Sequence, residues 1–223
     1  DWADNYDELG TEDDGTCSKL GCTEDWADNY DELATDNDNF CYIVGCMFDW
    51  ADNYNPFATL GLPLEEFVEN TGSNMTIGLT STFLSSLNAT HENAYIVALT
   101  TNYQLVGSIG VYGITQSLFM TVWGDDTSAS SVEINGAVEG EILSFLLVDG
   151  GSIYDISMPT YLTYTTSGMS WQLSAPALTF VSEASECTKL GCTSDWADNY
   201  DELATDDDGS CTKLGCTDYN ADN

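Results

Sequence analysis

A 24-residue unit, repeated and then interrupted, sets the terms on which this chain can fold. The phrase D-W-A-D-N-Y starts at Asp1, Asp25, Asp49 and Asp195, the first three 24 residues apart. A further opening, T-D-Y-N-A-D-N, begins at Thr217. The complete unit reads G-C-T-x-D-W-A-D-N-Y-D-E-L-A-T-D-x-D-x-x-C, with Cys22 to Cys41 and Cys192 to Cys211 as its two full examples. A unit this short, carrying two cysteines and seven carboxylates, cannot hold itself together by a hydrophobic core. Covalent closure and bound metal are the available substitutes.

Charge sharpens the point. Of 223 residues, 38 are acidic, three are lysine, none is arginine, and His91 is the single histidine. Residues 1–55 hold 16 of the acids, 56–181 hold 11 and 182–223 hold 11. Such density repels itself unless cations neutralise it. The same charge argues against nucleic acid and anionic membrane surfaces as partners. No apolar run is long enough to span a bilayer, so no membrane span is expected. Acid runs without aromatics are disordered as a rule. Each repeat here carries Trp, Tyr and Leu at fixed places and reads as ordered once oxidised and metal-loaded. Eight regularly spaced cysteines indicate an oxidising compartment, hence a secreted or cell-surface protein. Because the chain starts inside one repeat and stops inside another, it reads as a processed product or a window of a longer protein.

Counted from each G-C cysteine, Asn29, Asn53, Asn199 and Asn223 fall at plus seven, and Cys41 and Cys211 at plus nineteen. Asn5 and Cys17 fit the same frame. The third copy opens at Gly45-Cys46, runs to Thr59, and reaches a closing S-E-A-S-E-C only at Cys187. A domain inserted inside one repeat is the reading, which requires its two ends to lie close together. The expected organisation is acidic Cys repeats over 1–46, half of the interrupted repeat over 47–59, a β-sandwich over 60–184, and acidic Cys repeats over 185–223.

Residues 60–184 contain no Lys or Arg and carry strand-like runs separated by turn signals. The runs are Asn74–Thr80, Ala94–Thr100, Tyr103–Ile109, Ser117–Trp123, Ser131–Ile134, Glu141–Val148, Ser152–Met158, Tyr161–Thr165 and Trp171–Thr179, with a helical turn near Thr82–Leu87. The fold class expected is all-β: an antiparallel sandwich inserted into an array of short disulfide-closed, calcium-binding repeats with little regular secondary structure.

Two cysteine pairings compete. Neighbours could join across C-x4-C (17–22, 41–46, 187–192, 211–216), or each repeat could close across C-x18-C. The second is preferred, because Cys22–Cys41 and Cys192–Cys211 would gather the carboxylates that lie between them. It also assigns Cys46 to Cys187 and leaves Cys17 and Cys216 to neighbouring copies, as a head-to-tail polymer or tandem array would need.

The metal expected is Ca²⁺, which takes six to eight oxygen ligands. Candidate ligands in the first full repeat are Asp25, Asn29, Asp31, Asp36 and Asp38, and in the second Asp195, Asn199, Asp201, Asp207 and Asp208. Asn5, Asp7, Asp13 and Asp14 are their counterparts in the opening half-repeat. Cysteines held in disulfides are not available to softer metals.

The pattern carried by Cys22, Ala27, Asn29, Tyr30, Ala34, Asp38 and Cys41, and by Cys192, Ala197, Asn199, Tyr200, Ala204, Asp207, Asp208, Gly209 and Cys211, resembles the short cysteine-bearing repeats of large secreted surface proteins of marine Bacteroidota. In logic it is similar to thrombospondin type 3 calcium repeats. The stretches N-T-G-S-N-M-T (70–76) and T-V-W-G-D-D-T (121–127) look like a β domain of such proteins. The resemblance implies export and surface display in an adhesin, fibre or matrix, and no reaction. The copy ending at Cys41 departs from it, with D-N-D-N-F before the closing cysteine.

No catalytic residues are expected. His91 lies in the polar loop N-A-T-H-E-N without a nucleophile motif, and Asp125-Asp126 are adjacent carboxylates on a turn. Trp123, Trp171, Tyr154, Tyr161 and Tyr164 read first as core or interface residues and second as a sugar-stacking platform. Asn74 and Asn88 head N-x-T sequons and are glycosylation candidates. The function expected is a structural subunit of an extracellular filament, stalk or adhesin, with copies of itself as partners. The alternative is a carbohydrate- or surface-binding module, with glycans as partners and the repeats as spacers.

Overall fold

In the computed structural model of the protein, which describes residues 3–61, 64, 71–125, 135–158, 162–183 and 186–217, the chain is mostly β with one short helix. The elements run β1 (Leu20–Gly21), β2 (Asp36–Asn37), β3 (Val44–Gly45), β4 (Leu60–Gly61), β5 (Asn74–Leu79), α1 (Ser81–Ser86), β6 (Tyr95–Leu99), β7 (Leu105–Gly110), β8 (Leu118–Trp123), β9 (Ser144–Asp149), β10 (Ser152–Ser157), β11 (Met169–Gln172), β12 (Ala177–Glu183), β13 (Leu190–Gly191) and β14 (Asp206–Asp207). The expected runs Ser131–Ile134 and the start of Tyr161–Thr165 lie outside the described residues.

Two larger sheets carry the β domain. One has five strands in the order β12-β10-β9-β6-β7, every neighbour antiparallel. The other has three, in the order β11-β5-β8. There β5 is antiparallel to β8 but parallel to β11, so the expectation of antiparallel pairing throughout is corrected. The physical reason is local. The run Trp171–Thr179 is not one strand, because Leu173-Ser174-Ala175-Pro176 breaks it into β11 and β12, which join different sheets. Pro176 has no N–H to give a ladder and restricts the residue before it. Thr163 contributes only a single bridge, to Ile142.

The sheets share one apolar core. Met75, Ile77 and Leu79 of β5 and Met120 and Val122 of β8 meet Ile96, Ala98, Phe145, Leu147 and Ile156 from the larger sheet. Helix α1 lies against it with Phe83 and Leu84 buried, its start capped by the Thr80 hydroxyl, which accepts from the Phe83 N–H at 3.3 Å.

The larger sheet is apolar on both faces. Val97, Leu99, Leu146, Val148 and Ile153 point away from the shared core and pack on Tyr42, Val44, Leu60 and Leu64. This explains why β6 and β9 read Y-I-V-A-L and F-L-L-V, continuous rather than alternating: each face has its own cover. Tyr42 and Val44 come from the connector C-Y-I-V-G-C, which stands where the other connectors read C-S-K-L-G-C and C-T-K-L-G-C. Three apolar residues in place of a lysine-bearing trio dock the repeats onto the sheet.

Candidate functional site

The repeats close through three disulfides, Cys22–Cys41, Cys46–Cys187 and Cys192–Cys211. Cys46 and Cys187 are 141 residues apart in sequence, yet the unit they close follows the frame of the others. In that unit β3 and β4 pair in parallel, as β1 pairs with β2 and β13 with β14. The frame therefore runs to Gly61 before the chain leaves for the β domain, and resumes by Glu186.

The dipeptide Asp-Asn of D-W-A-D-N performs the same task four times. The Asn29 amide donates to the Phe40 carbonyl and accepts from the Tyr42 N–H at 3.1 Å, gripping the main chain on either side of Cys41. Asn199 grips Ser210 and Thr212 at 2.9 and 2.8 Å, and Asn5 grips Thr16 and Ser18 at 2.6 and 2.8 Å. In the interrupted unit Asn53 reaches Glu186 and Thr188 at 2.9 and 3.0 Å, across the whole insert. The preceding aspartate extends the grip into the next connector. Asp28 accepts from the Val44 N–H at 2.7 Å, Asp52 from Leu190 at 2.8 Å, Asp198 from Leu214 at 2.7 Å and Asp4 from Leu20 at 2.8 Å. One side chain thus closes its own unit and its neighbour orients the next one.

Asp4, Asp28, Asp52 and Asp198 are absent from the sequence-based ligand set, although their identity across all four copies was the available signal. Asn5, Asn29 and Asn199, expected as ligands, have both ends of their amides engaged with the main chain. Replacing Asn29 by Ala leaves a backbone N–H and a carbonyl without their partner, and is expected to cost about 2 kcal/mol. Urea unfolding of the oxidised chain reads it, with Asn29→Asp as the variant that keeps the acceptor.

The carboxylates are placed in the same way. Oδ1 of Asp7, Asp31 and Asp201 caps a turn by accepting from the N–H two residues on, as do Asp13, Asp14, Asp38, Asp207 and Asp208. Asp36 accepts from the Thr35 hydroxyl at 2.9 Å. Asp31 and Asp201 also pair with Lys19 at 2.6 Å and Lys189 at 2.9 Å. In the third unit Ile43 replaces the lysine and Asn55 replaces the aspartate, so the pair is removed together. The G-C glycine allows a close approach here: a Cβ on Gly45 would stand 3.0 Å from Cβ of Asn55, and one on Gly191 3.1 Å from Cβ of Ala204. In D-N-D-N-F, Asn39 takes the left-handed backbone (φ 65) that Gly15 and Gly209 take elsewhere. Asparagine tolerates that conformation better than most residues, so the departure preserves the turn.

Among the described residues no three His, Cys, Asp or Glu side chains form a group suited to a metal ion. Asp25 and Asp195, the remaining candidates, likewise enter no such group.

Docking on the β domain changes the chemistry of one repeat. The Asp208 carboxyl is held below its ordinary range by hydrogen bonds from Ser210. Its counterpart Asp38 is pushed up instead, by burial first and by the charge of Asp31 in part. Asp155 of β10 feels the same charge, its carboxyl raised to about 7 by burial and then by Asp38. Tyr42 is fully buried beside them, its hydroxyl without a hydrogen-bond partner among the described residues, and burial and the Asp155 charge push it well up. Tyr103 bolts the seam: its hydroxyl donates to the Cys41 carbonyl at 2.6 Å and its ring meets Tyr42 edge-on. It does so from a left-handed backbone (φ 61), a conformation unfavourable for a bulky residue, in the turn between β6 and β7.

Elsewhere, His91 does have a carboxylate partner. Its Nδ1 lies 3.1 Å from Asp149, which also accepts from the N–H groups of Thr90 and His91 and from the Thr90 hydroxyl. Burial alone would raise the Asp149 carboxyl, but these bonds outweigh it and hold the group below its usual value. The cluster caps the loop after α1. Asp125 accepts from the Asn135 N–H at 3.0 Å, while Asp126 lies outside the described residues. Asn88 is exposed, and Asn74 opens β5 partly covered.

No helix among the described residues is long and apolar enough to cross a membrane. No family model, curated protein or solved structure matches this chain.

Proposed function

We propose that this protein is a load-bearing segment of a secreted extracellular stalk, filament or adhesin, in which a β-sandwich is displayed as a pendant from an array of disulfide-closed repeats. The observation that carries the proposal is the neck. Cys46–Cys187 and the Asn53 grip on Glu186 and Thr188 join the two ends of the insert, so tension along the chain passes through the neck and bypasses the β domain. The Asp-Asn grip at every unit gives each joint a fixed orientation rather than a flexible linker's freedom. Three disulfides suit the oxidising compartment such a role requires. Calcium enters this proposal as a counter-ion that reduces repulsion within a chain of net charge -35, not as the agent that closes each unit. Head-to-tail association with further copies fits the same role.

Force spectroscopy on the full chain, tethered at both termini, tests the proposal. The oxidised protein is expected to give no unfolding step for the β domain. With Cys46 and Cys187 both changed to serine, a step releasing roughly 450–500 Å is expected, the extended length of a 141-residue loop. An equal step in the oxidised parent protein would overturn the load path.

A further inference from the structure

The outer face of the three-stranded sheet carries an aromatic corner that the load-bearing role does not use, built on Trp171. In the paired registers, Trp171 of β11, Gly78 of β5 and Phe119 of β8 form one cross-strand row, and Met169, Thr76 and Thr121 form the next. The alternate residues Met75, Ile77, Met120 and Val122 are in the core, so both rows face outward. Trp171 is 44% exposed and Phe119 55% exposed.

The corner is held in shape by its glycine. A Cβ on Gly78 would stand 2.4 Å from the Trp171 ring, so the indole lies down on the β5 backbone and turns its other face to solvent. Phe119 meets it at 5.2 Å between centroids and an interplanar angle of 76°. The indole is a floor and the phenyl ring a wall. Beside them, Thr76 and Thr121 are half-buried, and their hydroxyls make no hydrogen bond to any described residue.

We infer that this face binds a neutral polysaccharide, with a sugar ring stacked on Trp171, abutting Phe119, and bonded by the two threonine hydroxyls. A flat aromatic surface beside unengaged hydroxyls complements a pyranose, which has an apolar C–H face and a hydroxyl rim. Charge selects among polymers. Residues 60–184 contain no Lys or Arg and the whole chain is strongly acidic, so uronate-rich and sulfated polymers are repelled. The assignment does not depend on the load path proposed above.

Affinity electrophoresis of the full oxidised chain tests it, in gels containing hydroxyethyl cellulose, mixed-linkage β-glucan or galactomannan, with alginate as the anionic comparison. Retardation by at least one neutral polymer and not by alginate is expected. Trp171→Ala should weaken it about tenfold or more, as loss of an aromatic anchor does. Trp196→Ala, in a repeat, should leave it unchanged. Thr76→Val with Thr121→Val reads the same face should the tryptophan variant fail to fold. Three results would overturn the inference: no neutral polymer retards the protein, a well-folded Trp171→Ala chain is retarded as strongly, or alginate retards it equally. Sedimentation adds a fourth: a dimer that Trp171→Ala dissolves would assign the face to a second copy of the chain.

Discussion

Removing the neck disulfide, by changing Cys46 and Cys187 together to serine, is expected to destabilise the oxidised protein by about 4–5 kcal/mol. The reason is the length of the loop it closes, 141 residues, whose ends become independent in the unfolded chain. The Phe48–Trp50 stack at 5.7 Å and the Asn53 grip persist in the variant, but neither restricts the unfolded ensemble. Removing Cys192–Cys211, which closes a 19-residue separation, should cost less, about 3 kcal/mol, and only in its own unit. Denaturant unfolding followed by Trp fluorescence, with both variants kept free of reductant, measures the two costs. Equal losses would place the neck on the same footing as an ordinary repeat and contradict its role.

Asp155→Asn is expected to stabilise the protein by about 2–4 kcal/mol at pH 8 and to change little at pH 4. The sign follows from linkage. The carboxyl in the folded protein ionises near 7, against an ordinary value of 3.8, so the folded state holds its proton where the unfolded state has already lost it. Stability attributable to this group is therefore full below about pH 4 and falls as pH rises through 7. Asparagine removes the charge that burial and Asp38 penalise, and flattens that slope. Thermal midpoints of the parent and variant between pH 4 and 8 give the comparison, and parallel curves would show that the Asp155 environment is not the one described here.

Much of this architecture was legible because the chain repeats itself. The frame set by Cys22, Asn29 and Cys41 pointed to the Cys22–Cys41 closure, and the displaced closing cysteine at Cys187 to its bond with Cys46. The β5, β6, β8 and β10 strands fall within a residue or two of their sequence bounds, since β-branched and aromatic runs between turns carry a local signal. What escaped is non-local. Nothing in S-W-Q-L-S-A-P-A-L-T announces that its halves enter different sheets, one of them in parallel. The two-faced burial of β6 depended on Tyr42 and Val44 arriving from a repeat, a contact no window of sequence contains. The acids were visible, but their use was not. Asp38 and Asp208 each accept from the N–H two residues on and Asp28 from the more distant Val44 N–H, partners that residue type and spacing do not reveal. Asp155, a lone acid in an apolar strand, gave no sign of the partners that raise it.

Hydrogen exchange at six amides tests the central claim, that disulfides and the Asp-Asn grip shape each unit. The amides are those of Tyr42, Thr188 and Thr212, which donate to Asn29, Asn53 and Asn199, and those of Val44, Leu190 and Leu214, which donate to Asp28, Asp52 and Asp198. In EDTA, with disulfides intact, all six are predicted to be protected, and reduction should abolish the protection at Thr212 and Leu214 first, where no β-domain packing assists. Free-chain exchange at these positions in the oxidised protein, or protection that arises only when calcium is added, would contradict the account.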